Sequence, residues 1–189
     1  MIGPFMGRVR FIIFIAFSFC FFQLQAEEKK LFPDTVTIKQ QKLIKIGQGK
    51  RKYYWANVYE AALYGHDDLK PASTDKLLKQ ENPILIRLKY NHKVDLKATQ
   101  EAWIKSIESN CNTWCEDIKD SKKKFISQVQ AIEKDELQDY QFLKTGLKIF
   151  KNKKPWIDLE DTTFGQVILM TFIGEHPPTK QLKKDLLGE

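Results

Sequence analysis

The sequence predicts an α+β fold, an antiparallel or mixed sheet with its helices gathered on one face. Two observations predict it. Short runs with two-residue apolar alternation flank a central stretch whose apolar residues recur at helical spacing, so the order is strands, two helices, strands, two helices. The length, 189 residues, suits one well-filled domain and is short for two.

The elements follow in order. Thr35 to Ile38 and Lys42 to Ile46 read as short extended segments, and Gly47-Gln48-Gly49 as a turn after them. Lys50 to Gly65 has the aromatic and β-branched content of strand in Tyr53, Tyr54, Trp55, Val58, Tyr59 and Leu63, with one or two breaks. In Ile84 to Tyr90, Ile86, Leu88 and Tyr90 share one face and Arg87 and Lys89 the other, the mark of a half-buried strand. From Asp95, read as an N-cap, Leu96, Trp103, Ile107 and Trp114 lie on one helical stripe. Ile118, Phe125, Val129 and Ile132 form a second stripe, predicting a helix over 116–133. Leu137 to Leu143, Leu147 to Phe150 and Trp156 to Leu159 return to strand, with turns at Gly146 and over 152–155. Asp161-Thr162 caps a helix over 164–173 that is apolar almost all round and therefore buried on most sides. A short polar helix from Thr179 to Leu187 ends at Gly188.

Composition separates two objects. Seven of the thirteen Phe lie in the first 26 residues, where two arginines precede the apolar run Phe11 to Phe22 and Leu24-Gln25-Ala26 follows it. This is a secretory signal-peptide pattern with cleavage expected after Ala26, and twelve helical residues rise only about 18 Å, short of a bilayer's hydrocarbon core. The expectation is an exported, periplasmic protein of residues 27–189 with no membrane span after cleavage. Of its charged residues 29 are basic and 24 acidic, a net of +5. The dense basic runs, Lys122-Lys123-Lys124 and Lys151-Asn152-Lys153-Lys154, lack the interleaved aromatics and glycines of a single-strand-binding surface, so no nucleic-acid partner is expected.

Cys111 and Cys115 remain after cleavage, an even count that in an oxidising compartment favours a local disulfide over free thiols. His66, His92 and His176 have no ligand spacing, so no metal and no cofactor is expected. Asp67-Asp68 and Glu160-Asp161 sit at turn or cap positions that account for them. No nucleophile elbow, phosphate loop or dinucleotide fingerprint occurs.

Phe32-Pro33, then Gly47-x-Gly49-x-Arg51, then Val58-Tyr59-x-Ala61-Ala62-Leu63-Tyr64 resemble the opening of bacterial chalcone isomerase-like proteins. Phe164 to Leu169, Phe172-Ile173-Gly174-Glu175-His176-Pro177 and Leu182 to Gly188 are similar to that family's close, so the resemblance spans roughly 32–188. It implies an open-faced β-sandwich, a large antiparallel sheet with a helical layer on one face and a ligand cleft between. It also implies that Arg51 meets an acidic head group, with Tyr59 as a phenolic donor and Tyr54 and Tyr64 as further strand aromatics of the site. Trp103, Ile107, Phe164 and Ile168 would line the tail of the ligand. The family includes enzymes that close a flavanone ring, relatives that bind fatty acids, and bacterial members mostly regarded as non-catalytic. The enzymes place a tyrosine on the helix after the third strand, yet no Tyr lies between Tyr90 and Tyr140 here. The expectation is a non-catalytic binding protein for a small amphipathic molecule such as a fatty acid, with an enone isomerase or a structural envelope protein as alternatives.

Overall fold

The computed structural model describes Gly3, residues 30–79 and residues 82–189; the expected signal peptide lies outside these apart from Gly3. Seven strands form one antiparallel sheet in sequence order: β1 (Thr35–Ile38), β2 (Gln41–Tyr53), β3 (Ala56–Gly65), β4 (Ile84–Tyr90), β5 (Leu137–Leu143), β6 (Gly146–Lys151) and β7 (Lys154–Leu159). The helices are α1 (Thr74–Lys79), α2 (Leu96–Asn110), α3 (Lys119–Gln128), α4 (Thr162–Ile173) and α5 (Lys180–Leu187). Short 3₁₀ turns cover Asp67–Leu69 and Asn112–Trp114. Among the described residues no helix is long and apolar enough to cross a membrane.

Strand alternation divides the interior. Ala61, Leu63, Ile84, Ile86, Leu88, Tyr140 and Phe142 face the helices and join their apolar sides in the main core. Ala62, Tyr64 and Leu85 turn to the opposite face, where Phe32, Ile38 and Leu43 cover them. On that second face Arg87 forks onto Asp139, with both nitrogen–oxygen distances at 2.7 Å. The helix with the most apolar sequence, α4, is buried along nearly its whole length. Asp161 caps it by accepting from the Phe164 backbone N–H at 2.9 Å. Asp95 caps α2 in the same way, and Gly188 ends α5 in the left-handed conformation with φ 77°.

Several expectations are corrected. Gly47 and Gly49 are interior residues of β2, opposite Leu63 and Ala61, and the turn lies at Tyr54-Trp55. The glycines are there for proximity: a Cβ on Gly47 would sit 2.1 Å from the Asp185 carbonyl oxygen, so α5 lies directly on the strand. The strand expected over 50–65 with one or two breaks has one, at Tyr54-Trp55, between the end of β2 and the whole of β3. Leu96 is 44% exposed rather than on the buried stripe. The helix expected over 116–133 is only Lys119–Gln128, because Val129 turns extended and the chain then bridges Val94 to Ile132. α1 was not foreseen, since its six residues hold too few apolar positions to show a period. Cys111 and Cys115 form a disulfide, with Cα atoms 5.0 Å apart.

Candidate functional site

A cavity of about 430 Å³ lies between the sheet and α2, closed at one side by the segment after α4. Its sheet wall is built on a single cross-strand row, because Arg51 pairs with Tyr59 and Tyr59 with Tyr90. A register shift just beyond Arg51 leaves Val58 without a partner on β2, which brings two consecutive residues, Val58 and Tyr59, to the same cavity. α2 contributes Thr99, Ala102, Trp103 and Ser106, spaced at three and four residues and hence on one face. Phe172 from α4 and the run His176-Pro177-Pro178 complete the wall. Asn110 holds that run in place by donating to the His176 carbonyl at 3.0 Å and accepting from its backbone N–H at 3.3 Å.

Apolar rings and polar side chains both line the cavity. Trp103 packs against Phe125, Tyr140 and Phe172 with ring centroids 5.1–6.1 Å apart. The Arg51 guanidinium lies 5.7 Å from the centroid of the Tyr59 ring and has no ion pair among the described residues. Tyr59 in turn meets Tyr90 edge to face at 5.4 Å. Burial pushes the Tyr59 phenol up to about 12 despite the opposing pull of Arg51, so it stays a neutral donor at any physiological pH. Burial also holds Tyr90 and Tyr140 well above the ordinary phenol range. Beneath them the Tyr140 hydroxyl donates to Gln138, Gln138 donates to the buried Glu136 carboxylate at 2.7 Å, and Lys151 pairs with Glu136 at 3.0 Å. This chain satisfies the polar atoms under the floor and fixes the row of tyrosines above it.

Of the residues expected at the site, Arg51 and Tyr59 come together and Trp103 lines the cavity with them. Tyr64 does not join them. It lies five residues from Tyr59 on one strand, an odd separation that turns it to the opposite face beside Arg87 and Asp139. Tyr54 stands outside in the β2–β3 turn, 84% exposed. Ile107, Phe164 and Ile168 are fully buried core behind the wall rather than part of it. Tyr90, Thr99, Ser106, Ser109, Lys105 and His176 were missed. Tyr90 was legible as the last member of the Ile86-Leu88-Tyr90 face; the others needed the rotation of α2 and the path after α4. Among the described residues one other group of ligand-type side chains, His66, Asp67 and Asp68, is exposed at a short turn away from the cavity.

A curled antiparallel sheet with a cleft under a helical cover defines an open-faced sandwich of the α+β class. Residues 27–188 match the chalcone isomerase-like family, and the chain belongs to it. No curated protein matches the sequence. Among solved structures, a crystal structure of a fatty-acid binding protein of Arabidopsis thaliana superposes with a TM-score of 0.69 at 19% identity, covering 82% of this chain and 90% of that one.

Proposed function

We propose that this chain is an exported, non-catalytic binding protein that holds a small amphipathic acid, such as a fatty acid, in the cavity between sheet and α2. The observation that carries the reading is the Arg51–Tyr59 pair. A guanidinium without a counter-ion among the described residues and a phenol kept neutral by burial stand together in the wall of a cavity that also holds a cluster of apolar side chains. Arginine grips a carboxylate through two parallel charge-assisted hydrogen bonds, and a neutral phenol adds a third donor. Val58, Leu88, Val94, Trp103, Ile132 and Phe172 would shelter the alkyl tail. A volume of about 430 Å³ is at the small end of the roughly 300–1,000 Å³ usual for ligand pockets, which favours a short or medium chain. The solved fatty-acid binding protein of the same fold supports the ligand class, and the apolar run before residue 27 supports export.

Native mass spectrometry of the protein expressed with its own N-terminal segment tests both parts. The expected result is a denatured mass beginning at Glu27 and a folded mass carrying an excess that matches an acidic lipid and is lost in Arg51→Ala. Absence of bound lipid together with no micromolar affinity for laurate would overturn the binding reading. Ring closure of a chalcone above the spontaneous rate, abolished by Arg51→Ala, would replace it with an isomerase.

A further inference from the structure

We propose that the β2–β3 hairpin tip is a membrane-docking device, in which Tyr53, Tyr54 and Trp55 enter the interfacial layer of an anionic bilayer and the lysines around them meet lipid phosphates. The tip exposes three consecutive aromatic residues, at 62%, 84% and 94%. Elsewhere among the described residues the large exposed hydrophobics are only Leu31 and Leu96, at 39% and 44%. Three such rings in one place are costly in water and need a partner to justify them.

Three further observations favour a lipid surface as that partner. The first is shape. Pairing of β3 with β4 stops at Tyr59–Tyr90, with one more hydrogen bond from the Asn91 N–H to the Val58 carbonyl. Beyond it β2 and β3 pair only with each other, through Lys52–Asn57 and Tyr53–Ala56, so the tip projects about 10 Å past its neighbour strand. That reach matches the roughly 5–10 Å to which interfacial elements bury apolar groups, and a fluid interface receives a protruding tip without a matching pocket.

The second is charge. Lys50, Arg51 and Lys52 lead directly into the aromatics. The antiparallel order turns the β6–β7 hairpin, with Lys153 and Lys154, to the same end of the sheet. The acids nearby are engaged: Glu60 with Lys50, Asp135 with Lys89, Glu133 with Lys93 and Glu136 with Lys151. Lys52, Lys153 and Lys154 are exposed and have no ion pair among the described residues. Aromatic rings flanked by free lysines suit the headgroup layer of an anionic leaflet.

The third is the backbone. Tyr54 holds φ 52°, where glycine or asparagine would fit with less strain, so a bulky ring occupies the position least suited to it. The tip also extends from the strands that carry Arg51 and Tyr59, which sets the cavity one turn of hairpin away from the lipid. Docking goes beyond the ligand reading and stands without it.

The test is vesicle flotation, comparing phosphatidylglycerol–phosphatidylcholine (3:7) with pure phosphatidylcholine, on the protein and on variants that share its N-terminus. The expected result is binding to the anionic vesicles that weakens in high salt, falls at least tenfold in Tyr54→Gly/Trp55→Ala, and falls about fivefold for each of Lys52→Gln and Lys153→Gln. Tyr54→Gly alone should weaken flotation while leaving the melting temperature equal or higher, which separates docking from folding. Laurate binding by the double variant in vesicle-free solution should be unchanged. Flotation equal in the protein and the double variant, or none on anionic vesicles, overturns the proposal; loss of the rings' effect on lipid with retained binding to an acidic protein would also overturn it. A failure of laurate binding with docking intact would count against the ligand reading alone.

Discussion

Arg51 and Tyr59 differ in what their removal should do. In the proposed binding mode Arg51 is the charged partner, so Arg51→Ala should weaken binding of a medium-chain acid by about 1.5–3 kcal/mol, and Tyr59→Phe by about 1 kcal/mol. Titration calorimetry with laurate checks both, and Arg51→Lys should recover only part of the loss because an ammonium cannot fork. Thermal stability should hardly move with Arg51→Ala, since among the described residues the Arg51 guanidinium has no ion pair and stands over the Tyr59 ring. Glycines make an opposite pair. Gly47→Ala drives a methyl into the backbone of α5, with the Asp185 and Leu186 carbonyl oxygens 2.1 and 2.5 Å away, and should destabilise by about 1–3 kcal/mol. Gly165→Ala, in α4, meets nothing closer than 3.6 Å and should stabilise by up to about 1 kcal/mol. Denaturant midpoints would show the two signs.

At the level of elements, the most buried helix, α4, shares its capping aspartate with a second helix. Asp161 caps α4 through Phe164 and accepts from the Ser121 hydroxyl of α3, so Asp161→Ala should cost about 1–2 kcal/mol and loosen two helices together. The disulfide closes a loop of only a few residues, so Cys111→Ala/Cys115→Ala should lower stability by about 2 kcal/mol, read from urea unfolding. Those two helix starts, Asp95 and Asp161, were legible because a cap is a local device, as was Gly188 at the end of α5. β4 through β7 were legible because alternation is local too. The paired glycines of β2 were misread because a glycine that makes room for a distant helix and a glycine that turns the chain look alike in sequence. In the cavity, Arg51 and Tyr59 were found through a family pattern. The register shift that sets Val58 beside Tyr59 leaves no mark in composition, and α2's hydroxyl face is secondary to its apolar stripe.

Across the whole molecule, tyrosine burial sets a limit on alkaline stability. Tyr59 and Tyr64 are pushed up to about 12, and Tyr90 and Tyr140 are held higher than an ordinary phenol. In the unfolded chain these phenols ionise near 10, so above that pH the unfolded state releases protons that the folded state keeps. Stability should therefore be level up to about pH 10 and fall between 10 and 12, with tyrosinate absorbance of these four rings appearing together with loss of the circular dichroism of the fold. The acid side depends on different groups. Lys45 holds Asp34, and Lys89 holds Asp135, below the ordinary carboxylate range, and what these exposed pairs contribute is lost as pH falls through those lowered values. The sheet itself can grow in chain order, since every strand pairs with the next in the chain. α5 is the exception, because its seat is the glycine groove of β2, more than a hundred residues earlier. A chain made from its amino end thus forms the groove of β2 before the eight residues of α5 that fill it. Completion of this surface is timed by α5, and a chain cut short before Thr179 would leave β2 open at Gly47 and Gly49 however well the remaining strands had paired.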